Sequence, residues 1–222
     1  MSIVPPLLNR IAKWDGHYPA VATPKRLIVV CHGYGQGFAG GVDSDEKRRL
    51  LLNIRSASGF DWIAEECQAI VLYPYAVGFN WRTRPPFSWQ QTGPILARVR
   101  EELSRWPEME VYFAGFSDGG TMAHLLARQF YSTAGVIIYS APIRHLTSPV
   151  DHRYRMLLVR NTQERVAGEQ WRQAFVDFAR ANGLPHTSLT GDMPPHGVLG
   201  WHHFWDRALN PRIAAWIKGV AE

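Results

Sequence analysis

Two cysteines in 222 residues allow one disulfide at most, so the chain is no disulfide-stapled scaffold. Cys31 ends an apolar run and Cys67 lies in a helix-period stretch, both ordinary places for reduced packing thiols. Lysine is scarce too, with Lys13, Lys25, Lys47 and Lys218 the only four, and charged residues make up just 19% of the chain. The formal charge of +5 therefore rests on arginines scattered along the sequence, with short groups at Arg82/Arg84 and Arg153/Arg155. A nucleic-acid footprint needs basic residues on one face, and no clustering here points to one. No apolar run approaches the roughly 20 residues of a membrane span. Pro5-Pro6 interrupts the only apolar stretch near the N-terminus before it could serve as a signal segment. The expectation from these absences is a cytoplasmic protein with no membrane span and no nucleic-acid partner.

What the chain does contain is 46% hydrophobic residues and nine tryptophans, a composition that folds. Its length suits one α/β domain over residues 1–222. β-rich apolar runs at Leu27–Cys31, Ile70–Pro74, Val111–Ala114, Gly135–Ser140, Arg155–Arg160 and Thr187–Thr190 alternate with helix-period segments. Those segments are Ser58–Gln68, Pro94–Trp106, Gly119–Tyr131, Gly168–Asn182 and a C-terminal pair split at Asn210-Pro211. Such alternation predicts a mostly parallel, doubly wound sheet flanked by helices. Gly33–Gly41 and Trp81–Gly93 fit no regular element, and loops of that length in compact domains tend to carry function.

Gly115-Phe116-Ser117-Asp118-Gly119 matches GxSxG with a strand entering it and an Ala/Leu/Met-rich helix leaving it. That is the layout of a nucleophile elbow, in which flanking glycines admit a strained serine whose hydroxyl stands at a helix N-terminus. The plainer alternative is a serine that caps the helix. After the first strong strand comes Cys31-His32-Gly33-Tyr34-Gly35-Gln36-Gly37. A tetrahedral oxyanion needs two donors, and the N–H groups of Asp118 and Tyr34 stand where the elbow and this loop would supply them. No Lys-Ser/Thr and no helix signature follows the glycines, which leaves both phosphate-loop readings without their context. His32 reads as a hydrogen-bonding residue beneath the loop.

With CHGYGQG, SGFDWIAEECQAIVLYPYAVGFNW and GFSDGGTMA in this order, the chain resembles the α/β-hydrolases from about Leu27 to Trp216. It is similar to the polyhydroxybutyrate-depolymerase and feruloyl-esterase-like group and to the small carboxylesterase and acyl-protein thioesterase group. The resemblance implies the α/β-hydrolase fold, hydrolysis of a small-molecule ester or thioester by a Ser–His–acid triad, no cofactor and no metal. It also implies the chain order nucleophile, acid, histidine. Arg160 to Val166 occupies the acid segment, with Glu164 on the acid position, although Arg165 beside it leaves a surface ion pair as the alternative. His196 in MPPHGV follows the last strand and is the expected base, with His202 of GWHHFW the competing choice. The stretch from Ala141 to Tyr154 is too short for a cap domain. Trp81, Phe87 and Trp89 are expected to border the open cleft. Two other readings remain at this point, an acyltransferase or thioesterase of the same fold and a non-catalytic binding protein. Oligomeric state is not legible.

Overall fold

A computed structural model describes residues 11–33, 54–76, 81, 88–141, 149–162, 169–192 and 205–220. Seven strands form one sheet: β1 (Ile11–His17), β2 (Arg26–Cys31), β3 (Ala69–Ala76), β4 (Glu110–Phe116), β5 (Thr133–Tyr139), β6 (Arg155–Asn161) and β7 (His186–Gly191). Their spatial order is β1-β3-β2-β4-β5-β6-β7. All pairings are parallel except that of β1 with β3. The helices are α1 (Ile54–Ser58), α2 (Phe60–Cys67), α3 (Ser88–Arg105), α4 (Asp118–Gln129), α5 (Glu169–Ala181) and α6 (Asn210–Lys218), with a 3-10 turn at Arg207–Leu209.

The two-residue period of the strands builds two cores from each apolar run. Leu27, Val29 and Cys31 of β2 enter one core while Ile28 and Val30 enter the other. Val136/Ile138 against Ile137/Tyr139, and Met156/Leu158 against Leu157/Val159, divide in the same way. The first core is closed by α3, α4 and α5 through residues such as Ile95, Leu126 and Phe175. The second is closed by α1, α2 and α6 through Ile54, Ile63 and Ile213. Helices on both faces are what a sheet of uninterrupted apolar strands requires, so the doubly wound expectation holds. Both cysteines are buried and unpaired, and burial pushes the Cys67 thiol up to about 11.

Three expectations need correction. The sequence reading has no strand before Leu27, because Ile11–His17 (IAKWDGH) lacks an apolar run. As an antiparallel edge strand it needs only cross-strand partners on β3. Trp81–Gly93 is not irregular throughout, since α3 begins at Ser88 and carries Pro94 inside it. Reading Pro94 as a helix start placed that boundary too late. Finally, Ser58–Gln68 is interrupted at Gly59, whose left-handed backbone separates α1 from α2. The connection from β5 to β6 holds no cap domain among its described residues.

Parallel pairing brings the strand C-termini to one edge. Cys31 stands beside Gly115, Phe116 beside Tyr139, and Asn161 beside Gly191. Sheets of this kind bind ligands outside that edge.

Candidate active site

Ser117 sits between β4 and α4 with φ 53° and ψ −126°, a conformation that few non-glycine residues adopt. The surroundings enforce it. A Cβ on Gly115 would lie well within 3.0 Å of the Gly119 backbone, and a Cβ on Gly119 would strike the carbonyls of Cys31 and His32. These glycines let α4 start directly against β2 and β4. The Ser117 amide donates to the Tyr139 carbonyl at 2.9 Å, and the Ser117 carbonyl accepts the Gly120 amide at 2.9 Å. Its side chain makes no capping bond to α4. The helix-cap alternative therefore loses its contact, and the hydroxyl stays available at the helix N-terminus, where the dipole favours negative charge.

Next to this turn, His32 is fully buried. Its Nε2 accepts the Ala76 amide at 3.1 Å, which assigns the ring proton to Nδ1, and Nδ1–H donates to the Gly33 carbonyl at 2.7 Å. Burial lowers its pKa to about 4, so the imidazole is neutral at physiological pH. Its own carbonyl accepts the Trp81 indole N–H at 2.8 Å, and the two rings stack with centroids 4.5 Å apart. Hence His32 ties the end of β2 to the end of β3, and Trp81 closes over it. The Gly33 carbonyl so held belongs to the peptide that carries the Tyr34 N–H.

At the other end of the edge, Asn161 and Gly191 lead out of β6 and β7. Thr162 donates through its amide to the Gly191 carbonyl at 2.9 Å and through Oγ1 to Asp192 at 2.9 Å. Arg160 pairs with Glu169 at 2.8 Å across the segment that contains Glu164. Beyond the segment that contains the histidines, the Asp206 amide donates to the Tyr139 hydroxyl at 2.8 Å.

Of the residues singled out from sequence, Ser117 and Asp118 meet at the elbow, with Asp118 opening α4. Trp81 is only 3% exposed and supports His32. Tyr34, Phe87, Glu164, His196, His202 and the Arg82/Arg84 pair lie outside the described residues, as does the side chain of Trp89. Sequence reasoning missed the partners of His32. The Ala76 and Trp81 bonds span 44 and 49 positions, and no local pattern marks such pairs.

Solved structures share this architecture. Esterase PE8 superposes with a TM-score of 0.63 at 16% identity, covering 93% of this chain and 98% of its own. SOBER1 of Arabidopsis thaliana gives 0.59 at 15%, covering 89% and 99%. An alpha-beta serine hydrolase homologue from Coxiella burnetii gives 0.61 at 14%, covering 94% and 91%. The fold is that of the α/β-hydrolases. No protein-family model matches the chain, and no curated protein does either. The turn after the central strand β4 holds Ser117. Among the described residues no helix is long and apolar enough to cross a membrane.

Proposed function

We propose that this chain is a serine hydrolase that cleaves carboxylic esters through an acyl-enzyme on Ser117. The observation that carries the proposal is the backbone of Ser117, held at φ 53° between two glycines that admit no side chain, with its hydroxyl left uncapped. Strain of about 1–3 kcal/mol at one residue persists only where surrounding structure enforces it, and such residues cluster at reactive sites. The α/β-hydrolase fold supports the same reading.

In the proposed reaction Ser117 Oγ attacks the acyl carbon while His196 takes its proton, with Glu164 accepting the opposite ring N–H. The N–H groups of Asp118 and Tyr34 receive the oxyanion. His32 contributes from beneath by holding the Gly33 carbonyl. Collapse of the intermediate expels the alcohol, which takes the proton from His196. Water, deprotonated by the same histidine, then attacks the acyl carbon, and Ser117 recovers its proton as the carboxylic acid leaves. Phe87 and Trp89 border the acyl site in this reading, with Trp81 supporting the loop behind them. The absence of a cap among the described residues fits a small, accessible ester.

Turnover of p-nitrophenyl acetate and butyrate by the wild type, lost in Ser117→Ala, is the expected result, together with fluorophosphonate labelling that Ser117→Ala removes. A wild type that neither turns over these esters nor accepts the label is not a serine hydrolase. His196→Ala beside His202→Ala identifies the base, and loss of turnover in His202→Ala alone transfers that role to His202.

A further inference from the structure

Tyr139 bonds to Ser117 and to a residue that flanks each of the two other stretches the Ser117 reading needs. Its carbonyl accepts the Ser117 amide at 2.9 Å. Its hydroxyl donates to Asn161 Oδ1 at 3.1 Å, at the end of β6 just before the segment that holds Glu164. The same hydroxyl accepts the Asp206 amide at 2.8 Å, just after the segment that holds His196 and His202. One hydroxyl proton and the free lone pairs of a phenol suffice for both bonds.

The surroundings make these bonds hard to replace. Tyr139 and Asn161 are fully buried. The Tyr139 ring packs on Trp205 at 4.5 Å and on Phe116 at 5.8 Å. Removing the hydroxyl therefore takes this partner away from a buried amide and a buried amide oxygen, which costs free energy. Sheet pairing alone does not bring Asp206 to this point, because it belongs to no strand. Its amide is fixed through the phenol to the end of β5, the strand paired with β4 beside Ser117.

We propose that Tyr139 is a positioning residue that sets the acid and base segments against the nucleophile. The proposal rests on the serine-hydrolase reading above. Tyr139 meets no reacting atom. It acts through the Ser117 amide, Asn161 and Asp206, and so governs how well the triad is aligned rather than how tightly an ester binds. Misplacement of a catalytic group by about 1 Å can cost on the order of a hundredfold in rate.

Tyr112 provides a matched control. It is equally buried, and its hydroxyl accepts from Arg155 at 2.8 Å and has the Ile217 carbonyl at 3.1 Å and Glu110 Oε2 at 3.4 Å as acceptors. Those bonds lie near the opposite end of β4. The experiment compares Tyr139→Phe and Tyr112→Phe with the wild type on p-nitrophenyl butyrate, below the melting temperature of each variant. Rates are expressed per fluorophosphonate-labelled site. For Tyr139→Phe, kcat is expected to fall about tenfold or more while KM stays within about threefold. Tyr112→Phe is expected to hold kcat within about twofold, even where its melting temperature drops as far. Equal kcat in the two variants, or a Tyr139→Phe loss carried entirely by KM, overturns the positioning role while leaving the hydrolase reading intact. A wild type without turnover or label overturns the hydrolase reading itself, and the positioning role with it.

Discussion

The indole of Trp81 stacks on His32 at 4.5 Å and donates its N–H to the His32 carbonyl at 2.8 Å, so one residue holds both the ring and the backbone at the start of the proposed oxyanion loop. Trp81→Phe keeps an aromatic face and removes the donor. It is expected to cost about 1 kcal/mol of stability and to lower kcat several-fold with KM little changed. Trp81→Ala, which also removes the stack, is expected to cost at least about 3 kcal/mol. Urea melts and steady-state kinetics check both. Full activity in Trp81→Phe would separate the indole from the loop's function.

His32 and His124 make stability depend on pH in a defined direction. Burial lowers their pKa values to about 4 and about 3, and Arg128 adds repulsion at His124. The unfolded chain, with histidines near 6.5, then binds more protons than the folded one as pH drops below that value. Stability is complete above about pH 6.5 and declines as pH falls toward 4, with His32 alone accounting for on the order of 3 kcal/mol. His124 is caged by Phe175, Phe178 and Tyr154, so His124→Phe is a close fit in shape. Its urea midpoint should vary less between pH 7.5 and 4.5 than that of the wild type. Parallel pH curves would mean that His124 is not buried in its neutral form.

Two glycine substitutions should move stability in opposite directions. Gly119→Ala places a methyl against the carbonyls of Cys31 and His32 and is expected to destabilise by more than about 3 kcal/mol. Gly93 lies in α3 with open space where a Cβ would stand. Gly93→Ala should therefore stabilise by about 0.5–1 kcal/mol through helix propensity. Thermal melts of the two variants test the pair, and a Gly119→Ala protein as stable as wild type would contradict the close approach of α4 to β2.

Glu102 is a fully buried carboxylate that accepts from the Tyr18 hydroxyl at 2.9 Å and from Arg98 at 2.5 Å, with Arg105 3.5 Å away. Arg98→Ala leaves that charge poorly compensated and should cost about 3 kcal/mol, whereas Arg98→Leu combined with Glu102→Leu should cost less. Urea midpoints decide the order. A double variant less stable than Arg98→Ala would show that the ion pair contributes net stability.

The sequence made the middle of the sheet legible, because strands buried on both faces run apolar. Leu27–Cys31, Val136–Tyr139 and Met156–Val159 announce themselves in that way. It also determined the elbow, since a serine with positive φ and a helix starting against a strand both demand glycine nearby, and Gly115 and Gly119 are local signals. Ile11–His17 carries no such signal, because an antiparallel edge strand draws its stability from the neighbour it pairs with rather than from a pattern of its own. What surrounds the elbow depends instead on contacts between distant parts of the folded chain. Ala76 and Trp81 reach His32, and Asp206 reaches Tyr139, across long stretches of sequence. Hydrogen bonds of that kind depend on which strand ends the parallel pairing brings together, and residue spacing carries no record of it.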